Sequence, residues 1–266
     1  MKFFPKDGSS IKLKNGNRIG YNIFGKTNNF PIFYFHGWPG SRFELRNIPL
    51  KKEKCFIIAI ERPGYGISDP IPNFKIKDWP KIVLEIANKF KIKKFSIIGV
   101  SGGAPFALSC AYFLNSKRLK SIAIVCGLAP NKVKGMNEGR VGMLMNYGNR
   151  PIISWMLLIF LRSKILNGNI EKSFYNWKKK IPLPKKDSEL FNLQRGIKLI
   201  KNFREAIKYG ITGVHRDANL YANNWGFDIK KIKKKIFVWH GEKDLTVPIS
   251  TLNFYKKNLK NKDIFI

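Results

Sequence analysis

The chain has 266 residues, a hydrophobic content of 44% and a formal net charge of +33, from 50 Lys and Arg against 17 Asp and Glu. That length accommodates one domain with an inserted subdomain around a large core, and the hydrophobic content suits a soluble globular protein. The longest apolar stretch, 151–161, is too short to span a bilayer, and residues 1–6 lack the apolar run of a signal peptide. The three cysteines, Cys55, Cys110 and Cys126, are widely spaced with no C-x-x-C pair, which argues against a disulfide frame or a metal site. They read as buried thiols in a reducing compartment, so the expected location is cytoplasmic. A charge of +33 admits attraction to nucleic acid or to an anionic membrane. The lysine runs at 178–180 and 230–235 are short, however, and no aromatic-basic motif accompanies them. Compositional bias toward Lys, Asn and Ile is the preferred reading, and no nucleic-acid partner is expected.

In chain order, 11–14 and 18–24 form a hairpin around Asn15-Gly16-Asn17. Residues 31–35 and 55–60 are apolar enough to be buried strands. Asp78-Trp79-Pro80 opens a helix to residue 90, with Asp78 as its N-cap and Pro80 in its first turn. Residues 95–100 are a β-branched strand, 104–114 a helix of small residues, and 119–126 another strand. Strands alternating with helices imply a parallel sheet with right-handed crossovers. The rhythm then changes. Over 131–228 the pattern is helical, most clearly at 143–165 and 189–209, and no parallel strand stands out. A strand returns at 235–239, a helix covers 250–259, and a last strand begins near 263. The expected architecture is therefore α/β: a mostly parallel sheet flanked by helices. Its core is discontinuous (1–130 and 229–266), interrupted by a helical cap at 131–228.

The strand and helix around residue 100 enclose Gly99-Val100-Ser101-Gly102-Gly103, a G-x-S-x-G run in a strand–turn–helix setting. A serine hydroxyl is a weak nucleophile until a base takes its proton, and it must stand clear of the sheet to meet a carbonyl. A sharp turn lifts Ser101 to such a tip. Strand and helix then nearly collide, so Gly99 and Gly103 have to lack a Cβ. The same turn aims the Gly102 amide at the place where an oxyanion forms.

Four segments in order, His36-Gly37-Trp38-Pro39-Gly40, Glu61-Arg62-Pro63-Gly64-Tyr65-Gly66-Ile67-Ser68-Asp69, Gly99-Val100-Ser101-Gly102-Gly103 and His240-Gly241-Glu242-Lys243-Asp244, resemble the capped, serine-nucleophile branch of the α/β-hydrolase superfamily. The resemblance extends over nearly the whole chain and implies the α/β-hydrolase fold. It implies Ser101 as nucleophile, the Trp38 and Gly102 main-chain amides as oxyanion hole, and Asp244 as the acid that orients a histidine. His36, Glu61 and His240 are expected to be structural, and the cap is expected to line an acyl pocket with apolar and aromatic residues. No metal and no organic cofactor are expected. The expected activity is a serine esterase on a small acyl substrate, through an acyl-serine intermediate.

The family order is Ser, acid, His. The histidines are His36, His215 and His240, and none follows Asp244. The expectation is a chain that stops short of its base, nearly inactive in this form, with a bare last strand that lowers solubility. Two other readings stand beside it: a non-catalytic ligand-binding relative, which is the alternative function, and His215 acting as a displaced base. Epoxide hydrolases share the His-Gly-Trp-Pro-Gly run but carry aspartate at the elbow. Proline iminopeptidases are also similar but favour another elbow sequence.

Overall fold

The computed structural model describes residues 9–51, 54–114, 117–180 and 183–266. Residues 1–6, read above as lacking a signal run, lie outside them. The strands are β1 (Ser9–Lys12), β2 (Arg18–Gly25), β3 (Pro31–Phe35), β4 (Phe56–Ile60), β5 (Phe95–Val100), β6 (Leu119–Val125), β7 (Ile236–Trp239) and β8 (Lys262–Phe265). They form one sheet in the order β1-β2-β4-β3-β5-β6-β7-β8. β1 pairs antiparallel with β2, and β2 with β4. Every other pairing is parallel. β4 is buried at all positions, which accounts for its unbroken apolar run: both faces of the strand are covered.

Two helices interleave with the central strands, α1 (Trp79–Lys89) and α2 (Ala104–Phe113). Ala104, Ala107 and Ala111 are all buried, and their small side chains let α2 lie close on β5 and β6. Trp79 starts α1 and meets Phe35 and Phe106 edge-to-face at 5.4 and 5.9 Å. Asp78 does not cap α1 as expected. Its carboxylate accepts instead from the Lys75 amide at 2.9 Å, closing the short turn that precedes the helix.

Between β6 and β7 the described residues form α3 (Gly139–Gly148), α4 (Pro151–Asn167), α5 (Ile170–Lys180), α6 (Lys185–Leu190), α7 (Leu193–Ile207) and α8 (Thr212–Ala222). The apolar periodicity over 143–165 belongs to two helices rather than one. Pro151, which cannot donate an amide hydrogen bond, opens the second of them. α3 packs on α8, and α4 on α7 and α8. A last helix, α9 (Ser250–Asn258), buries Leu252 and Tyr255 before β8 forms the outer strand.

Candidate active site

The parallel strands deliver His36, Ser101, Cys126 and the loop of Asp244 to one edge of the sheet, because each follows the carboxyl end of β3, β5, β6 or β7. Ser101 has φ +50°, a left-handed conformation that L side chains rarely adopt. It occupies the tip between β5 and the one-turn 3₁₀ segment Ser101–Gly103 that leads into α2. The two flanking glycines are required by contact. A Cβ on Gly99 would lie 2.7 Å from the Gly103 carbonyl oxygen, and one on Gly103 would lie 2.2 Å from that of Phe35. Ser101 is half-buried.

The loop after β3 faces this turn. A Cβ on Gly37 would lie 3.7 Å from the Ser101 Cβ, and one on Gly102 would lie 3.0 Å from the Trp38 Cβ. The Gly37 amide is occupied, donating to Glu44 at 3.1 Å. The Trp38 amide has no acceptor among the described residues, and the Trp38 side chain begins beside Gly102. Burial raises the Glu44 carboxyl, while hydrogen bonds from Tyr34 and Gly37 oppose the rise.

What holds the loop is a buried ion-pair cluster that sequence reasoning missed. Arg62 is fully buried, and its Nη1 and Nη2 donate to the His36 and Gly37 carbonyls at 2.7 and 3.0 Å. Its Nε donates to Asp217 on α8 at 2.5 Å. Asp217 also accepts from Arg216 at 2.6 Å. Tyr221, one turn further along α8, donates to the Gly102 carbonyl at 2.9 Å. One inserted helix thus braces both the loop after β3 and the serine turn. The motif around Arg62 was visible in the sequence. Asp217, 155 residues away, carried no signal.

Asp244 follows β7, two strands from Ser101 on the same edge. Its Oδ1 accepts from the Thr246 and Val247 amides at 2.7 and 2.9 Å, so it closes its own turn. It also faces the Cys126 thiol, which burial, with Asp244 adding to it, pushes up to about 12. The three histidines make other contacts. His36 is buried against the Gly37 carbonyl and edge-on to Tyr65. Burial and then Arg62 hold its imidazole well below the ordinary range, so it is neutral. His240 contacts the Val247 carbonyl at 3.0 Å. His215 contacts the Pro151 carbonyl at 2.9 Å and packs edge-on to Trp155. Among the described residues no histidine bonds Ser101 or Asp244. Glu61 is fully buried, bonded to Arg42 at 2.7 Å and to the Ile67 amide at 3.1 Å, a loop-holding arrangement.

An apolar cavity of about 340 Å³ lies beside the serine turn, lined by Trp38, Leu158, Phe174, Trp177, Phe203 and Val214 among others. Trp38 stands between turn and cavity, and its indole Nε1 donates to the Val214 carbonyl at 2.8 Å. Ser101 and Asp244 are not part of the cavity wall. Arg162, in that wall, has its guanidinium committed to the Ile207 and Lys208 carbonyls. No group of three or more His, Cys, Asp or Glu among the described residues could hold a metal ion.

The sequence profile of the alpha/beta hydrolase fold matches residues 31–150, which contain Trp38, Arg62 and the serine turn. The soluble epoxide hydrolase of Corynebacterium sp. (strain C12) is 30% identical over 122 residues, 45% of this chain and 41% of that enzyme. The chain thus spans less than half the length of that curated relative. Among solved structures, bromoperoxidase from Bacillus anthracis superposes with a TM-score of 0.68 at 15% identity, covering 97% of this chain and 90% of that one. The esterase of Exiguobacterium antarcticum gives 0.65 at 18% identity, covering 97% and 89%.

Proposed function

We propose that the protein is an α/β-hydrolase, a reading supported by the profile match over residues 31–150 and by the shared fold, and that within that superfamily it is a serine hydrolase of an apolar carboxylic ester. The observation that carries this reading is Ser101 at φ +50°, at a strand–helix tip whose glycines admit no side chain, next to Trp38, whose amide has no acceptor among the described residues. In this reading Ser101 Oγ attacks the ester carbonyl. The Trp38 and Gly102 amides receive the developing oxyanion; one such donor contributes ~3 kcal/mol to the transition state. The alcohol leaves with a proton, and water then releases the acid from the acyl-serine. Residues 1–130 and 229–266 carry this chemistry, and the cap at 131–228 shapes the pocket. The cavity behind Trp38 offers an apolar substrate chain its place. Asp244 is the acid of this scheme, and the base is its weak point. With the histidines engaged elsewhere, turnover is slow, since an oxyanion hole and binding alone leave about 10³- to 10⁴-fold acceleration over water.

A non-catalytic ligand-binding role is the second reading, favoured by the same histidine contacts. Chemistry disfavours epoxide opening at this elbow. A serine alkoxide attacking an epoxide forms an ether, which water does not release, whereas an aspartate forms a hydrolysable ester. An ester series of increasing acyl length tests the proposal. Slow hydrolysis that rises with chain length and vanishes in Ser101→Ala supports it. Binding of the same esters with no release above the Ser101→Ala background rejects it in favour of the ligand-binding role.

A further inference from the structure

The outer side of α4 is apolar where water should meet it. Ile152 is 76% exposed, Met156 67% and Phe160 56%, with Ile153 and Ile159 also more than half exposed. Spacings of three and four put Ile152, Met156, Ile159 and Phe160 along one stripe of the helix. The opposite side of α4 is already used, because Leu158, Leu161 and Ile165 line the cavity. A helix apolar all round has to be covered on both sides, and the described residues cover only one.

Charge says what the second cover is. No carboxylate stands between Glu138 and Glu171, while Arg140, Arg150, Arg162 and Lys164 do. Lys164 Nζ lies 4.2 Å from the centroid of the Phe160 ring, so its stem runs along the stripe and its ammonium sits at the margin. Long basic side chains take that arrangement where an apolar surface meets charged headgroups. A second copy of the chain is disfavoured, since it would bring +33 against +33. The helix has 17 residues, and no helix among the described residues is long and apolar enough to cross a membrane. We propose that α4 lies flat in the interface of an anionic phospholipid bilayer, its apolar stripe among the acyl chains and Arg150 and Lys164 against the headgroups. Leu158, Leu161 and Ile165, on the opposite side of α4, would then place the cavity across the helix from the lipid. The proposal is independent of the chemistry at Ser101.

Co-sedimentation of the 266-residue chain with phosphatidylcholine vesicles, with and without phosphatidylglycerol, tests it. Binding is expected to the anionic vesicles and to weaken as salt rises. The variant Ile152→Ala, Met156→Ala, Phe160→Ala keeps the charge and favours helix, and is expected to partition at least about tenfold less at fixed salt. Ile159→Glu, a single exposed change, is expected to lower binding as well. Binding unchanged in both variants would overturn the proposal in favour of scattered lysines acting alone. Equal binding to uncharged vesicles, or none to either kind, would overturn it too. So would a dimer in sedimentation equilibrium that the triple variant dissociates, which would assign the stripe to a second copy.

Discussion

Asp217→Asn isolates the buried cluster that ties the cap to the loop after β3. The change removes one charge and almost no volume, so packing is preserved. It leaves the Arg62 guanidinium, fully buried, bonded to two carbonyls and to no carboxylate. Breaking a buried pair in this way costs about 3–5 kcal/mol, because the remaining charge stays out of water. A domain of this size loses roughly 2–4 °C of Tm per kcal/mol, so the melting temperature should fall by about 6–20 °C. Asp69→Asn supplies the comparison. Its partner Arg18 has a side chain 62% exposed, and exposed pairs contribute at most about 1 kcal/mol. Thermal unfolding followed by circular dichroism reads both variants side by side. A loss in Asp217→Asn no larger than in Asp69→Asn would refute the view that Arg62 and Asp217 hold this part of the fold.

Ser101→Gly should raise stability by about 0.5–1 kcal/mol, because glycine adopts φ +50° without strain, while abolishing ester hydrolysis; a destabilised variant in urea titration contradicts the strained turn. Gly103→Ala should destabilise severely or fail to fold, since its Cβ would sit 2.2 Å from a carbonyl oxygen; a Tm within a few degrees of the parent, about 1 kcal/mol or less, rules that out. Burial raises the Glu61 carboxyl to about 7 despite the Arg42 pair that opposes it. The folded state therefore binds that proton more tightly than the unfolded chain. The contribution is full below the unfolded carboxyl pKa and is lost as pH rises through about 7. Glu61→Gln should flatten the decline in urea midpoint across that window, and an unchanged slope argues against it. Cys126, with its thiol at about 12, should resist iodoacetamide at neutral pH in intact-mass measurements; rapid alkylation there would contradict its burial against Asp244.

The sheet was legible because its strands are apolar runs punctuated by glycine and proline, and β3 was predicted at its observed bounds. The serine turn was legible for a related reason. Glycine at 99 and 103 is a local steric requirement, and local requirements leave marks in sequence. Asp217 left none, because its partner is fixed only once α8 packs over the sheet edge. The division of 143–165 into α3 and α4 turned on Pro151, whose breaking effect an apolar periodicity conceals. The outward stripe of α4 was read as part of an ordinary apolar stretch. Hydropathy gives the amount of apolar surface, and only packing shows which half of it the chain covers.

Everything proposed for the chemistry requires that Ser101 Oγ be the group that attacks. Prolonged exposure to an alkyl fluorophosphonate, followed by intact-mass and peptide mapping, reads that directly. One adduct per chain is expected, slow to form, on the peptide containing Ser101, and absent from Ser101→Ala. Adducts elsewhere, or an unmodified Ser101 after exhaustive exposure, would contradict it.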